Sequence, residues 1–289
     1  MWYLLVAVWN DFNFEWCGAE ADRTFDVSPI PPGSSSAGEV EEEVEIDIMA
    51  FARDQFGFMA EASQVEFLAS KAKRGIVNCS RQWGKSTLAA IKVLHRAWTR
   101  PGSLVLVVSP TLRHSGLFLS KVRRLTKACP EMRGNVKKDP DHALSLSFPN
   151  DSLIVGLPAI EGNIRGFDAV SMIVIDEAAR VPDIVYKTVR PMLAVGSGDL
   201  WLLSTPMGQR GFFYEEFAFG GERWTRFEAP ATACPERITA AFLEEELESM
   251  GAAWVKQEYF CEFVDMGGTM FDRQLVEDAV SAEIKALVF

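Results

Sequence analysis

Residues Cys79–Thr87 read CSRQWGKST, and the fold turns on how that stretch is read. Gly84, Lys85 and Ser86 fit the end of the phosphate-binding loop pattern G-x-x-x-x-G-K-[ST]. Cys79 stands where that pattern has its first glycine. A bare G-K-[ST] arises by composition in roughly one chain in ten of this length, so the surroundings decide. GIVNC (75–79) is a short apolar run that reads as a buried strand. KSTLAAIKVLHRAW (85–98) has helical spacing at Leu88, Ile91, Leu94, Ala97 and Trp98. A strand entering and a helix leaving would place phosphate on backbone N–H groups at a helix N-terminus, where the helix dipole favours negative charge. In that loop Lys85 reaches the β- and γ-phosphates and the Ser86 hydroxyl holds Mg²⁺.

Downstream, apolar strands alternate with helices. SLVLVVSP (103–110) is apolar on both faces, as parallel strands covered on both sides are. SGLFLSKVRRLTKAC predicts an amphipathic helix. ALSLSFPNDSLIVGLP (143–158) predicts two strands around Asn150-Asp151, a hairpin. SMIVID (171–176) predicts a strand, IVYKTVRPMLA a helix stopped or kinked near Pro191, and DLWLLST (199–205) a further strand. This order implies an α/β fold, a P-loop NTPase with a mostly parallel sheet flanked by helices.

Two more elements carry chemistry. In MIVIDEAA (172–179) an apolar strand delivers Asp176 and Glu177 at its C-terminal end, the edge where open α/β sheets bind ligands. Asp176 suits a Mg²⁺ ligand, and Glu177 suits the residue that positions or deprotonates an attacking water. Asp176 lies 91 residues after Lys85, which leaves room for intervening strands. In WLLSTP (201–206) a strand ends in Ser204 and Thr205, hydroxyls that could sense the γ-phosphate. Singly, each element has a plain structural reading: a helix start, an acidic cap, a turn before Pro206.

Composition bounds the rest. The chain has 289 residues, 48% hydrophobic and 24% charged, which suffices for one or two cores. No run approaches the roughly 18 apolar residues of a membrane span, and the opening MWYLLVAVWNDF lacks the basic and cleavage regions of a signal peptide. Five scattered cysteines and three histidines argue against a disulfide framework or zinc site and for a reducing cytoplasm. Of the net charge of −11, −10 falls in residues 1–48. That segment, containing SPIPPGSSSAGEVEEEVEID, reads as linker or disorder ahead of a native start at Met49. Basic residues cluster at Lys71, Lys73 and Arg74, at Lys121, Arg123, Arg124 and Lys127, and at Arg133, Lys137 and Lys138. Two readings stand for them, a solvated helix face and a nucleic-acid footprint.

Taken in order, these blocks resemble the ATPase domain of the large terminase subunit, the DNA-packaging motor of tailed bacteriophages. The matching blocks are ASQVEFL with Gln64, RQWGKST, SPTLRHSGLF, EGNIRGF, IVIDEAARV, RPMLA, LLSTPMGQRGFFYE and CPERIT…FLEEELESMG…VKQEYFCEFVD, covering roughly residues 50–275. The family's Walker A variant often lacks the first glycine and carries Arg-Gln before x-G-K-[ST], so Cys79 is a tolerated departure. The resemblance implies nucleotide binding by Gln64, Arg81, Gln82, Gly84, Lys85, Ser86 and Thr87. Ser86 and Asp176 would hold the metal, Glu177 would be the catalytic carboxylate, and Ser204 and Thr205 would form a coupling motif. Gln64 would read adenine; its plain reading is a polar residue on a helix face. Arg81 and Arg165 are both candidates for the arginine that acts on the γ-phosphate, Arg165 on a neighbouring subunit's ATP.

The resemblance further implies ATP and Mg²⁺ as cofactors and a homo-oligomeric ring around double-stranded DNA. Its implied partners are the portal protein and the small terminase subunit, in the host cytoplasm and without a membrane. It divides the chain into an ATPase core (49–229), a small lid subdomain (230–275), with ITAAFLEEELESMGAAW as one amphipathic helix, and the start of a linker (276–289). Asp272, Glu277 and Asp278 read as surface acids, so no nuclease is expected in this chain. Two rivals remain. A superfamily 2-like helicase or translocase needs a second RecA-like domain, for which the 112 residues after Glu177 are too few once the strand and lid are placed. A non-catalytic packaging-assembly fragment would not need Lys85, Asp176 and Glu177 intact.

Overall fold

A computed structural model describes residues 46–138, 144–164, 166–194 and 197–265. Most of the acidic N-terminal stretch, Arg165, and residues 266–289 with Asp272, Glu277 and Asp278 lie outside these. Among the described residues, seven strands form one sheet: β1 (Arg74–Cys79), β2 (Leu104–Ser109), β3 (Ser145–Ser147), β4 (Leu153–Pro158), β5 (Met172–Asp176), β6 (Asp199–Ser204) and β7 (Thr225–Ala229). Their order is β3-β4-β2-β5-β6-β1-β7, and every pairing is parallel except the β3–β4 hairpin. The helices are α1 (Ile48–Phe56), α2 (Ala62–Ala69), α3 (Lys85–Thr99), α4 (Leu112–Ala128), α5 (Glu161–Ile164), α6 (Asp183–Val189), α7 (Gly211–Phe219), α8 (Ala240–Met250) and α9 (Ala252–Phe260). The expected α/β, mostly parallel architecture is what the structure has. Met49 lies one residue into α1, which Asp47 caps by accepting from the Ala50 N–H at 2.9 Å.

The strands are apolar on both faces because both are covered. Val77, Val105, Val107, Val174, Trp201 and Leu203 join one core with Phe67, Leu88 and Ile91. Their sequence neighbours Ile76, Leu106, Ile173, Ile175, Leu200 and Leu202 join the other with Val185, Phe212 and Phe213. Glycine at residue 75 lets β1 lie beside β6 without strain. Gly75 is in register with Trp201, and a Cβ there would fall 2.1 Å from the indole ring.

Two local expectations need correction. ITAAFLEEELESMGAAW is two helices, α8 and α9, broken at Gly251, whose φ of 82° and ψ of 163° lie outside the helical region. None of the α8 residues is buried: Phe242 and Leu247 are 41% and 47% exposed, and Leu243 is only partly buried against the cluster below. Ile238, which is buried, precedes the helix and packs with Ala231, Val255 and Tyr259. The sheet also gains β7, which the sequence reading missed. As an edge strand it buries only alternate residues, Phe227 and Ala229.

Candidate nucleotide site

The sheet order brings the C-terminal ends of β1, β6 and β5 side by side, and all three motifs sit on that edge. β1 runs into the loop and α3 leaves it at Lys85. The loop's tight turns fall at Gln82 (φ 64°) and Gly84 (φ 102°). Cys79 needs no such freedom: it is the last strand residue, paired with Ala229 and fully buried, and its thiol donates to the Ser204 carbonyl at 3.8 Å. That is the physical reason a glycine is dispensable there. Burial pushes the Cys79 thiol up to about 12, so it stays neutral. At Gly84 the glycine is required, because a Cβ would meet the Arg237 guanidinium at 3.2 Å and the Gln64 amide at 3.4 Å on top of the strained φ.

Helix α2 holds the loop from behind. The buried Trp83 ring packs edge-on against Phe67 and donates its indole N–H to Ser63 Oγ at 3.0 Å. Gln64 is fully buried; its amide N–H donates to the Trp83 carbonyl at 2.8 Å, and its carbonyl accepts from the Glu61 N–H at 3.0 Å. Here Gln64 braces the loop and closes the α2 capping box.

In front of the loop, Lys85 Nζ pairs with Glu177 Oε1 at 2.9 Å, and Ser86 Oγ donates to Asp176 Oδ2 at 3.3 Å. Arg180 Nη1 donates to Glu177 Oε2 and to Thr205 Oγ1, both at 3.1 Å. Glu177 sits in the left-handed region, φ 56°, a strained position for a residue with a Cβ that turns its carboxylate onto the loop rather than continuing the strand. Arg81, Lys85, His114, Glu177, Arg180 and Thr205 line one cleft. Burial opposes ionisation of Glu177, but Lys85 and then Arg180 outweigh it and hold its pKa below the usual carboxylate value. Burial likewise opposes the Lys85 charge, and the acidic groups around it more than offset that. Asp176 differs: burial dominates and raises its pKa despite Lys85. Its Oδ1 is buried with no hydrogen-bond partner among the described residues, and so is Ser204 Oγ. The Ser86 hydroxyl and the Asp176 carboxylate, with its unspent Oδ1, are oxygen donors of the kind a hard divalent cation takes.

A match to a family model settles the chain's ancestry. The model described as "Terminase large subunit, T4likevirus-type, N-terminal" matches residues 76–278. The chain belongs to that terminase family. Curated large terminase subunits of Thermus phage G20c and Thermus virus P23-45 are each 26% identical over 181 residues, 57% of this chain. The matched region spans 37% of the length of each. Among solved structures, the large terminase ATPase domain of Thermus phage P74-26 superposes with a TM-score of 0.64 at 24% identity, covering 73% of this chain and 97% of that one. The large terminase of a thermophilic bacteriophage, solved in complex with ADP, superposes with a TM-score of 0.60 at 15% identity, covering 71% and 54%. At these identities the superpositions establish the shared fold.

Within this terminase chain, the sequence-derived residues divide. Arg81, Lys85, Glu177 and Thr205 meet in the cleft, with Ser86 and Asp176 in contact beside Lys85. Gln82 is exposed on the loop, Thr87 lies in the first turn of α3, and Ser204 is buried in β6. Arg165 lies outside the described residues. The basic clusters separate too. Lys73 and Arg74 sit at the opposite, N-terminal edge of the sheet, where Lys73 pairs with Asp199 at 3.1 Å and Arg74 donates to the Gly198 carbonyl at 2.8 Å. On α4, Arg123, Arg124 and Lys127 are exposed, while Lys121 is half-buried within the field of Asp176. Residues missed from sequence are His114, Arg180 and Glu258, whose side chain is fully buried and paired with both Arg81 and Arg180. Only Arg180 left a local signal: three residues after Glu177, it returns to the same side of a 3₁₀ turn.

Among the described residues, no helix is long and apolar enough to cross a membrane.

Proposed function

We propose that this chain binds Mg²⁺–ATP in the cleft and hydrolyses it, as the motor domain that drives double-stranded DNA into a phage capsid. The observation that carries this reading is the Lys85–Glu177 ion pair at 2.9 Å, flanked by the Ser86–Asp176 contact and by Arg81 and Arg180. One ammonium, two guanidiniums and a helix N-terminus converge on a cleft whose only lining carboxylate, among the described residues, is Glu177. That charge pattern suits a triphosphate and a carboxylate base.

The chemistry follows from the residues. ATP's phosphates draw Lys85 away from Glu177, because two charged oxygens on a phosphate chain compete for the same ammonium. Glu177 thereby loses its nearest cation, and burial then raises its basicity. It accepts a proton from a water whose oxygen bonds to the γ-phosphorus while the bond to the β-bridging oxygen breaks, giving ADP and phosphate. Lys85, Arg81 and Arg180 stabilise the charge on the transferring group. Ser86 and Asp176 would hold Mg²⁺, which would supply charge neutralisation to the phosphate chain. Thr205, bonded to Arg180, stands where loss of the γ-phosphate is felt at the end of β6.

A ring of copies around DNA, with a portal protein and small terminase subunit as partners, extends this reading to the whole machine, with Arg165 acting on a neighbour's nucleotide. The sequence segment 230–275 would act as the lid. The test is ATP turnover by the chain with and without double-stranded DNA, beside Lys85→Ala. DNA-stimulated turnover that Lys85→Ala abolishes is expected. Turnover equal in the mutant would overturn the site, and duplex unwinding by the chain would favour a helicase instead.

A further inference from the structure

The cleft's two arginines share a partner from a distant part of the chain. Glu258, in α9, is fully buried and uses both oxygens: Oε2 accepts from Arg81 Nε at 2.7 Å and Oε1 from Arg180 Nη2 at 3.2 Å. Its backbone takes part as well, the Glu258 carbonyl accepting from the Arg81 N–H at 3.0 Å. Around it α9 is tied to the same sheet edge. Asn78 Nδ2 donates to the Cys261 carbonyl at 2.7 Å, and the Gly208 N–H donates to Gln257 Oε1 at 2.9 Å. Glu258 therefore does not drift with a surface helix; it is fixed against the loop it serves.

We infer that Glu258 is a positioning residue for nucleotide, orienting Arg81 and Arg180 toward the terminal phosphate. The choice of atoms is the reason. Glu258 engages Arg81 through Nε, so among the described residues both terminal nitrogens of that guanidinium remain for the cleft it lines. A phosphate takes a guanidinium through such paired N–H groups. Arg81 is half-exposed, and without a buried carboxylate its long side chain would sample many rotamers. Arg180 is held at the opposite end of the same carboxylate while its Nη1 reaches Glu177 and Thr205. One side chain of α9 thus sets two cations whose contribution depends on a γ-phosphate being present. Lys85 and the loop backbone, which Glu258 does not orient through its side chain, serve the phosphates that ADP also has.

This inference rests on the proposed nucleotide site, and the experiment separates the two. Equilibrium binding of ATPγS and of ADP, each with Mg²⁺, is measured for the whole chain and for Glu258→Gln, with thermal unfolding in parallel. Gln keeps the shape and removes the charge, so the preference for ATPγS over ADP should fall about tenfold, the loss of roughly one charge-assisted hydrogen bond. ADP affinity should stay unchanged. Adding Arg81→Ala to Glu258→Gln should cost less than the two single losses combined, because the second change removes a group already misdirected. Glu258→Asp keeps the charge, guards against a folding failure and, being one methylene short, should lose part of the preference. A preference unchanged in both variants, or ATPγS and ADP weakened equally, would overturn the positioning role. A wild-type chain that binds neither nucleotide would overturn the site itself and this role with it.

Discussion

Gly75→Ala tests the packing that sets β1 beside β6 and so fixes where the loop and Thr205 meet. The added methyl would lie 2.1, 2.2 and 2.7 Å from three carbons of the Trp201 ring. Ordinary carbon–carbon contact is about 3.5–4.0 Å, so ring or strand must give by well over an ångström. The ring has little room: it is 1% exposed, with Phe67 edge-on at 5.2 Å, Phe227 at 5.9 Å and the Lys92 ammonium over it at 4.2 Å. Overpacking of this kind costs about 1–3 kcal/mol and occasionally more; a clash this deep in a strand paired on both sides belongs at the upper end, about 3 kcal/mol. The stiffer unfolded chain returns only about 0.4–1 kcal/mol. For a domain of this size, each kcal/mol moves the melting midpoint by roughly 2–4 °C, so a fall of about 4–10 °C is expected by circular dichroism. Gly116→Ala is the control of opposite sign. Gly116 lies inside α4 with nothing within 4 Å of an added Cβ, so alanine should stabilise by about 0.5–1 kcal/mol. A midpoint for Gly75→Ala within a degree of wild type would refute the steric reasoning. So would failure of Trp201→Phe, which removes one ring from the contact, to recover part of the loss in the double mutant.

Other consequences are as direct. Glu216, on α7, accepts from Tyr186 Oη at 2.8 Å, Trp224 Nε1 at 2.6 Å and Arg223 Nη2 at 3.1 Å; Glu216→Ala strands the buried donors and should cost about 2–4 kcal/mol in urea unfolding, whereas a loss below 1 kcal/mol would mean that water replaces the carboxylate. Glu177 is held below its unfolded pKa by Lys85 and Arg180 against the effect of burial, so its ionisation stabilises the fold above the ordinary glutamate range and that contribution disappears as pH falls through its lowered value. Glu177→Gln should therefore lose stability at pH 7 and progressively less as pH falls through that lowered value, and a loss that is the same at every pH would contradict the ion pair. If exposed Arg123 and Arg124 on α4 touch DNA, replacing both by alanine should flatten the salt dependence of binding by about 0.9 in log–log slope for each phosphate no longer neutralised; an unchanged slope removes them from the DNA face.

What the sequence made legible was local and periodic. GIVNC, SLVLVVSP, SMIVID and DLWLLST could be read as strands because each is buried on both faces and so has an unbroken apolar run. Asn150-Asp151 marked the hairpin because Asp151 takes a positive φ of 62° there. β7 stayed hidden because TRFEA leaves Thr225 and Glu228 exposed. Gly251 hid a break, since one glycine in a helical run reads equally as interruption or passenger. In the site, Lys85, Asp176 and Glu177 declared themselves by where a strand delivered them. Glu258 could not: it lies 177 residues from Arg81, and nothing in KQEYFCEF separates a buried carboxylate from a surface one until the chain is folded. Gln64 was visible, but its two bonds to Trp83 and Glu61 were not.

The most direct test of the central claim is ATP turnover and ATP binding measured together in Glu177→Gln. Removing the base should lower turnover by roughly 10²–10⁴-fold. ATP should bind at least as tightly as to wild type, because Lys85 no longer leaves a carboxylate at 2.9 Å to meet the phosphates. Turnover at the wild-type rate, or ATP binding lost together with turnover, would contradict a site in which Lys85 exchanges Glu177 for nucleotide and releases it as the base.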